Sequence, residues 1–351
     1  MEKKTIRAKS FFTVDRVTLL AVALLFLVMA VLVYTDAVGR QVQNMLISVA
    51  CYIVLAVSLN LVVGLLGELS LGHAGFMSVG LFVGCTLAVL LHDVLPTVVN
   101  LPLCMIVGGL AAAGVGFIVG LPVLRLKGDY LAIVTLGCGE IIKNILTNLK
   151  IKGSPLQGAL GIDTSSIRQG SKDLLPYAFV LILLTMAVIM NFKRSKHGRA
   201  IMAIRDNRIA AEATGVNVTS YKLLVFMMAA FFAGAAGVLY GFSLPNIKAD
   251  TFDYNMSIEI LVIVVLGGMG NLGGSVLAAI ILRALPEMLR EFSDYRMLVY
   301  SVVLIAMMLL NENKRFKAWK SRFSFMDWLK GLRKKKTPET PGDNRGEVCD
   351  R

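Results

Sequence analysis

Four ionisable residues stand in or beside long apolar runs: Glu68, His73, Glu140 and Glu259. A charge at membrane depth is costly, so such groups pair with one another, line a watery path or carry function. His73, flanked by glycines, suits either the wall of a path or a packed, hydrogen-bonded position. Glu140 and Lys143 have the i, i+3 spacing of a helix-surface pair that can sit at an interface. Glu259 precedes a glycine run and is placed either to satisfy helix ends exposed there or to touch a solute. Ser58, Asn60 and Thr135 are of the kind that hydrogen-bond one membrane helix to another. No catalytic set accompanies them: there is no HExxH, no Ser/Lys or paired-Asp constellation in helical register and no GxxxxGK[ST] phosphate loop. The five cysteines, Cys51, Cys85, Cys104, Cys138 and Cys349, include no CxxC pair and no nearby histidine at ligand spacing. Catalysis and a metal site are therefore not expected. The chemistry left is that of passage and attachment.

The elements that must position these residues are membrane helices. The chain of 351 residues is 56% hydrophobic and 17% charged, too little charge to clothe a soluble domain. A helix crossing the hydrocarbon core needs about 20 mostly apolar residues. Apolar segments fall at 17–34, 42–64, 70–91, 101–121, 130–149, 176–192, 222–244, 257–284 and 296–310. They are too long and uniform for barrel strands. The expected fold is all-α and polytopic, with about 8–10 transmembrane helices. The first segment follows a basic tail, as a signal peptide would, but no small-x-small cleavage site follows Tyr34, and it reads as a retained first helix. Three regions result: a cytoplasmic tail 1–16, a transmembrane region 17–310 and a basic cytoplasmic tail 311–351.

Net charge is +13, with the basic residues gathered in the tails and the 193–221 loop. That is the positive-inside pattern, and nucleic acid is not an expected partner. Counting crossings from a cytoplasmic N-terminus puts Arg125, Lys127 and the 193–221 loop inside and the 150–175 loop outside. Nine full crossings would strand the basic C-terminal tail outside. Segment 257–284 resolves this if it enters and returns, because Gly267, Gly268, Gly270, Gly273 and Gly274 interrupt it. A second interruption runs from Gly64 to Gly75 in the first half of the chain. Paired glycine-broken segments mark transporters built from two pseudo-repeated halves, and irregular backbone at membrane depth must be buried in protein or line a watery cavity. The candidate path residues are thus Asn60, Gly67, Ser70, Gly72, His73, Thr135, Glu140, Glu259, Gly267, Gly268, Gly270 and Asn271.

The 193–221 loop is the informative polar piece. Asp206 is placed to cap a short helix and Gly215 to end it. Ala210, Ala213 and Thr214 would form a small-residue face for docking into a groove of another protein. The plainer alternative is a basic loop held by membrane lipid headgroups.

Four motifs in order carry a resemblance. They are SLNLVVGLLGELSLGHAGF at 58–76, KGDYLAIVTLGCGEII at 127–142, GRAIMAIRDNRIAAEATGVNVTSYKL at 198–223 and SIEILVIVVLGGMGNLGGSV at 257–276. Together they resemble the LivM-type permeases of branched-chain amino acid ABC importers, over roughly residues 45–285. Ala211, Glu212 and Ala213 followed by Gly215 look like that superfamily's EAA-type coupling motif, with the glycine closer than usual. The chain departs from the family in its external loop, at Cys138 and in its ending.

The resemblance implies half of a translocation path for leucine, isoleucine and valine in a bacterial inner membrane. It implies three further subunits and a supplier of cargo: a second related permease, two ATP-binding cassette subunits and an extracytoplasmic amino-acid binding protein. ATP and Mg2+ would sit on the cassette subunits and no cofactor on this chain. Arg205, Asp206, Arg208, Ala211, Glu212, Ala213 and Gly215 would form the coupling contact. Related permeases carry urea or short amides, which keeps cargo open. A stand-alone secondary transporter would share the glycine breaks but leave the 193–221 loop without a task.

Overall fold

The computed structural model describes residues 19–35, 39–92, 94–126, 128–150, 158, 161–288, 301, 302 and 305. Both tails, most of the 296–310 segment and Cys349 lie outside the described residues. The elements below all belong to one compact unit that extends to Arg296.

The described chain is almost entirely helical. After α1 (Leu19–Tyr34) come α2 (Arg40–Asn60), α3 (His73–Leu90), α4 (Thr97–Val123) and α5 (Asp129–Asn148). Then follow α6 (Ser171–Arg194), α7 (Lys196–Asp206), α8 (Arg208–Ala213), α9 (Val218–Ser243), α10 (Tyr254–Gly267) and α11 (Leu272–Met288). Six helices are long and apolar enough to cross a membrane, the first being α2 with its continuation to Leu66. Shorter apolar helices stand at Leu19–Tyr34 and Leu272–Pro286. The molecule is therefore an all-α polytopic membrane protein, as its hydropathy implies.

Local chemistry sets many boundaries. Asn207, Asn217 and Asp253 accept from Ala210, Ser220 and Met256 backbone N–H at 3.1, 3.2 and 3.1 Å, capping α8, α9 and α10. Ser195 accepts from Gly198 N–H at the start of α7. Asp206 is thus not the cap of the short helix. It is the last residue of α7, and Asn207 leaves helical geometry (φ −156°, ψ 103°) to start α8.

Helix α2 and its continuation form the centre, with 94% of the apolar window buried. A second seam joins α3, α4 and α9 through glycines. A Cβ on Gly80 would overlap the Gly234 backbone, and one on Gly108 would come within 2.5 Å of the Gly80 carbonyl oxygen. Small residues let membrane helices approach until their backbones touch, which supplies dispersion where lipid gives no hydrophobic drive.

Two ends can be told apart by what meets there. At one, Ser171 Oγ donates to Asn44 Oδ1 at 2.6 Å, and strands β1 (Ile162–Asp163) and β2 (Asn246–Ile247) pair antiparallel. There the Ser165 hydroxyl and backbone N–H hold the exposed Asp163 carboxyl below the usual carboxylate range. At the other, basic end, α7 lies against the end of the first long span, α8 packs on α7 and α9, and Lys222 pairs with Glu68.

Segment 257–284 forms two helices joined by a turn, with α10 packed on α11. Gly268 (φ 92°) and Gly270 (φ 83°) make the turn in backbone conformations that side chains disfavour. The expected entry and return is thus a helical hairpin whose tip meets the basic end.

The glycine seam yields a test. Gly80→Leu should destabilise the protein by about 1–3 kcal/mol, since the obstacle is backbone. Gly114→Ala, where a Cβ meets nothing within 4 Å, should leave the thermal midpoint in detergent unchanged.

Candidate coupling and translocation sites

The first break begins where α2 widens into a π segment, Leu61–Leu66, and stops at Gly67 (φ 79°). Irregular chain to Gly72 leads into α3. Two backbone N–H groups, one in this chain and one at the start of α3, are met by side chains from other helices. Thr135 Oγ1 on α5 accepts from Leu71 N–H at 3.0 Å and donates to the Ala132 carbonyl at 2.9 Å. Ser257 Oγ on α10 accepts from Ala74 N–H at 3.2 Å. Gly72 is needed because a Cβ there would come within 2.8 Å of the Thr135 carbonyl oxygen.

His73 is 2% exposed, and its Nε2 lies 2.8 Å from Ser58 Oγ. Ser58 Oγ is also 2.9 Å from the Leu55 carbonyl oxygen, so the hydroxyl sits between that carbonyl and the imidazole. The histidine joins α2 to α3 within the packing. Ser70 is also buried, and its hydroxyl has no hydrogen-bond partner.

The hairpin tip is held by one buried residue. Asn60 Oδ1 accepts from Gly270 N–H at 2.7 Å, while its Nδ2 donates to Ser275 Oγ at 2.7 Å and to the Asn271 carbonyl at 3.3 Å. Lys193, at the end of α6, donates to the Gly270 carbonyl at 3.4 Å. Gly267 packs so closely on Gly274 and Ser275 that a Cβ would overlap them. The two glycine breaks thus meet each other, with Asn60 bonding across them.

Glu259 does not reach this turn; Asn60 satisfies it instead. The Glu259 carboxylate accepts from Tyr52 hydroxyl at 3.1 Å and pairs with Arg283 at 3.5 Å. Arg283 stacks 4.3 Å over the Tyr52 ring and donates to Ser48 Oγ at 3.0 Å. This cluster ties α2, α10 and α11 together above the tip. Glu140 pairs with Lys143 at 2.5 Å and accepts from Tyr254 N–H at 2.9 Å, fixing the start of α10 against α5.

The basic end forms a second site. Arg205 donates to the Gly64 carbonyl at 2.9 Å, and its side chain lies over Gly67, where a Cβ would meet Arg205 Cγ at 2.7 Å. A cation on the last carbonyls of a helix meets the negative end of its dipole. Helix α8 ends in a Schellman motif, with Val216 N–H on the Ala211 carbonyl at 3.1 Å and Gly215 N–H on Glu212 at 3.0 Å. Gly215 takes the left-handed position (φ 84°). Ala211 turns inward and packs with Ile204, Val216, Val218 and Tyr221, so it is not on the outer face. Ala210, Ala213 and Thr214 are exposed, beside Ile209 at 80% exposure. Arg208 and Glu212 pair at 2.9 Å along α8, and Asp206 pairs with Arg205 at 3.3 Å.

Sequence reasoning missed Lys222, Arg283, Tyr52, Ser257 and Ser275. Lys222 offered a signal: a lone cation at the start of an apolar helix, 4% exposed here against Glu68. A narrow crevice among Leu71, Gly75, Glu140, Tyr254 and Ser257 borders the first break. A cavity of about 420 Å3 lies among Tyr34, Thr97, Leu101, Gln169, Asp173 and Tyr177 at the end opposite α8.

Helices crossing a membrane, two glycine breaks meeting at one end and a docked pair of short helices beside them define a membrane permease. The family model for the branched-chain amino acid transport system permease component matches residues 41–310, and the chain belongs to this family. It is 37% identical over 285 residues to the LivM high-affinity branched-chain amino acid permease of Salmonella typhimurium, covering 74% of this chain and 66% of that protein. It is 36% identical over 318 residues to the Escherichia coli LivM protein, covering 83% and 73%. A ribose import permease of Haemophilus influenzae is 24% identical over 286 residues, covering 78% and 85%. No solved structure matches the chain.

The Asn60 contacts generate a prediction. Asn60→Ala strands the Gly270 N–H and the groups that Nδ2 serves, each costing about 1–3 kcal/mol when buried. The thermal midpoint in detergent should fall well below that of the unaltered protein.

Proposed function

We propose that this chain forms half of the membrane channel of an ABC importer for leucine, isoleucine and valine. Its relatives' named activity and its family membership support that cargo. A second related permease would complete the channel, and a binding protein outside the membrane would deliver cargo. Two ATP-binding cassette subunits would hold ATP and Mg2+ and hydrolyse the nucleotide. The positive-inside rule places the α7–α8 end in the cytoplasm, both termini with it, and the β1–β2 end outside, in a bacterial inner membrane.

The observation that carries the coupling reading is the face of α8. Ile209 is 80% exposed beside Ala210, Ala213 and Thr214, on a helix anchored to its own protein by Ala211. An open isoleucine ringed by small residues fits a groove on a rigid partner. Arg205 and Lys193 then connect that surface to the first break and the hairpin tip. Motion of docked ATPases would reach both breaks through these two cations.

Uptake of labelled leucine and labelled urea in cells lacking this chain, with and without its return, tests the cargo. Restored leucine uptake is expected; restored urea uptake alone would replace the cargo and keep the architecture. Replacing Ala213 with Trp should leave the chain in the membrane while ATPase co-purification falls about tenfold or more, the loss expected when a tight small-residue contact is blocked. Unchanged co-purification would overturn the docking surface.

A further inference from the structure

Helix α5 is the least covered of the six long helices, with 28% of its apolar window buried against 39% for α4 and 94% for the first span. Its open face is not that of a lipid-facing helix. On α4 every exposed side chain is apolar, from Val98 and Leu103 to Ile118 and Leu121, with an open glycine at Gly114. On α5 the open stripe sets the polar, exposed Asn144 among Ile133, Ile141 and Ile145. Glu140 and Lys143, part-way along the helix, flank it with side chains 27% and 18% exposed. Although Glu140 and Lys143 pair with each other, their part-exposed charges and the open Asn144 carboxamide would stay desolvated against lipid tails, which is costly in hydrocarbon.

A second observation points the same way. The chain between β2 and α10 is a single 3-10 turn (Ala249–Thr251) with irregular residues on either side, and it runs beside the outer half of α5. Thr147 Oγ1 donates to Asp250 Oδ1 at 3.4 Å, and Tyr254 N–H reaches Glu140 further along the helix. Lys248 and Asp250 are exposed on this stretch, and Asn255 in the first turn of α10. Irregular backbone with open polar side chains, set alongside a spanning helix, belongs where water reaches.

We propose that the Ile133–Asn144 stripe of α5 lines the aqueous path, and that Glu140 and Lys143 receive the ammonium and carboxylate of a passing zwitterion. This rests on the reading of the chain as an amino-acid importer. The pair is neutral as a unit. When it opens, Glu140 exchanges Lys143 for the solute's ammonium, and Lys143 exchanges Glu140 for its carboxylate. Net charge is unchanged, so the solute is recognised without being trapped. Ile141 and Ile145 on the same face offer apolar surface to a branched side chain.

The test uses the full transporter in membrane vesicles, with Cys138→Ala and Cys349→Ser as background. Asn144→Cys and the α4 control Ile118→Cys are exposed to a membrane-impermeant methanethiosulfonate, at rest and during ATP-driven transport. Modification of Asn144→Cys, slowed by leucine, with Ile118→Cys unmodified, is the expected result. Glu140→Gln retains an oxygen for Tyr254 N–H, and it and Lys143→Gln should each lower leucine uptake about tenfold, the loss of one charged hydrogen bond. Asn144→Cys unmodified in both states would overturn the path assignment. Uptake within about twofold of the unaltered transporter in both Gln variants would overturn the zwitterion role. Modified Asn144→Cys in an unaltered transporter that imports no leucine would overturn the cargo reading while leaving the path assignment standing.

Discussion

Every backbone N–H and C=O at membrane depth must find a partner inside the protein. Most of this chain meets that demand with helices. At the two glycine breaks it cannot, and much of the remaining architecture supplies what they lack. Asn60 serves the hairpin tip, Thr135 and Ser257 serve the chain leading into α3, and Arg205 and Lys193 take carbonyls at the basic end. These donors and acceptors come from five different helices. The breaks therefore fix the arrangement of the bundle as much as the apolar packing does.

The same bonds give the molecule a mechanical route. The α7–α8 unit is joined to its own chain by a small core around Ala211 and by Arg205 on the Gly64 carbonyl. From Gly64 one residue, Asn60, leads to the hairpin tip. The hairpin in turn is braced by Glu259, Arg283 and Tyr52 and by the Tyr254–Glu140 contact with α5. A displacement at the basic end thus meets packed or hydrogen-bonded elements all the way to the face of α5, and interfaces of that kind shift as units.

How much of this the sequence disclosed follows from the range of each interaction. Apolar runs, the hairpin signalled by Gly267, Gly268 and Gly270, and the Glu140–Lys143 pair are local patterns and could be read directly. Gly215 could too, because a helix end there needs a left-handed residue. Asp206 and Asn207 are both good caps, and only the backbone's departure from helical angles at 207 decides between them. The partner of Glu259 was illegible because Arg283 reaches it only through the hairpin. The partner of Glu68 was illegible because Lys222 lies on a helix far along the chain. The π segment at Leu61–Leu66 has no sequence mark, and His73 among glycines gave no sign of whether it would be enclosed or open.

The central claim is that the docking end and the glycine breaks move as one body through Arg205. The direct measurement is the number of leucine molecules imported per ATP hydrolysed, in proteoliposomes holding the complete transporter with Arg205→Ala. The account predicts that hydrolysis continues while import per ATP falls sharply, since the proposed docking face on α8 is kept while α7 loses its tie to Gly64. An unchanged ratio would contradict it and move the coupling route away from Arg205.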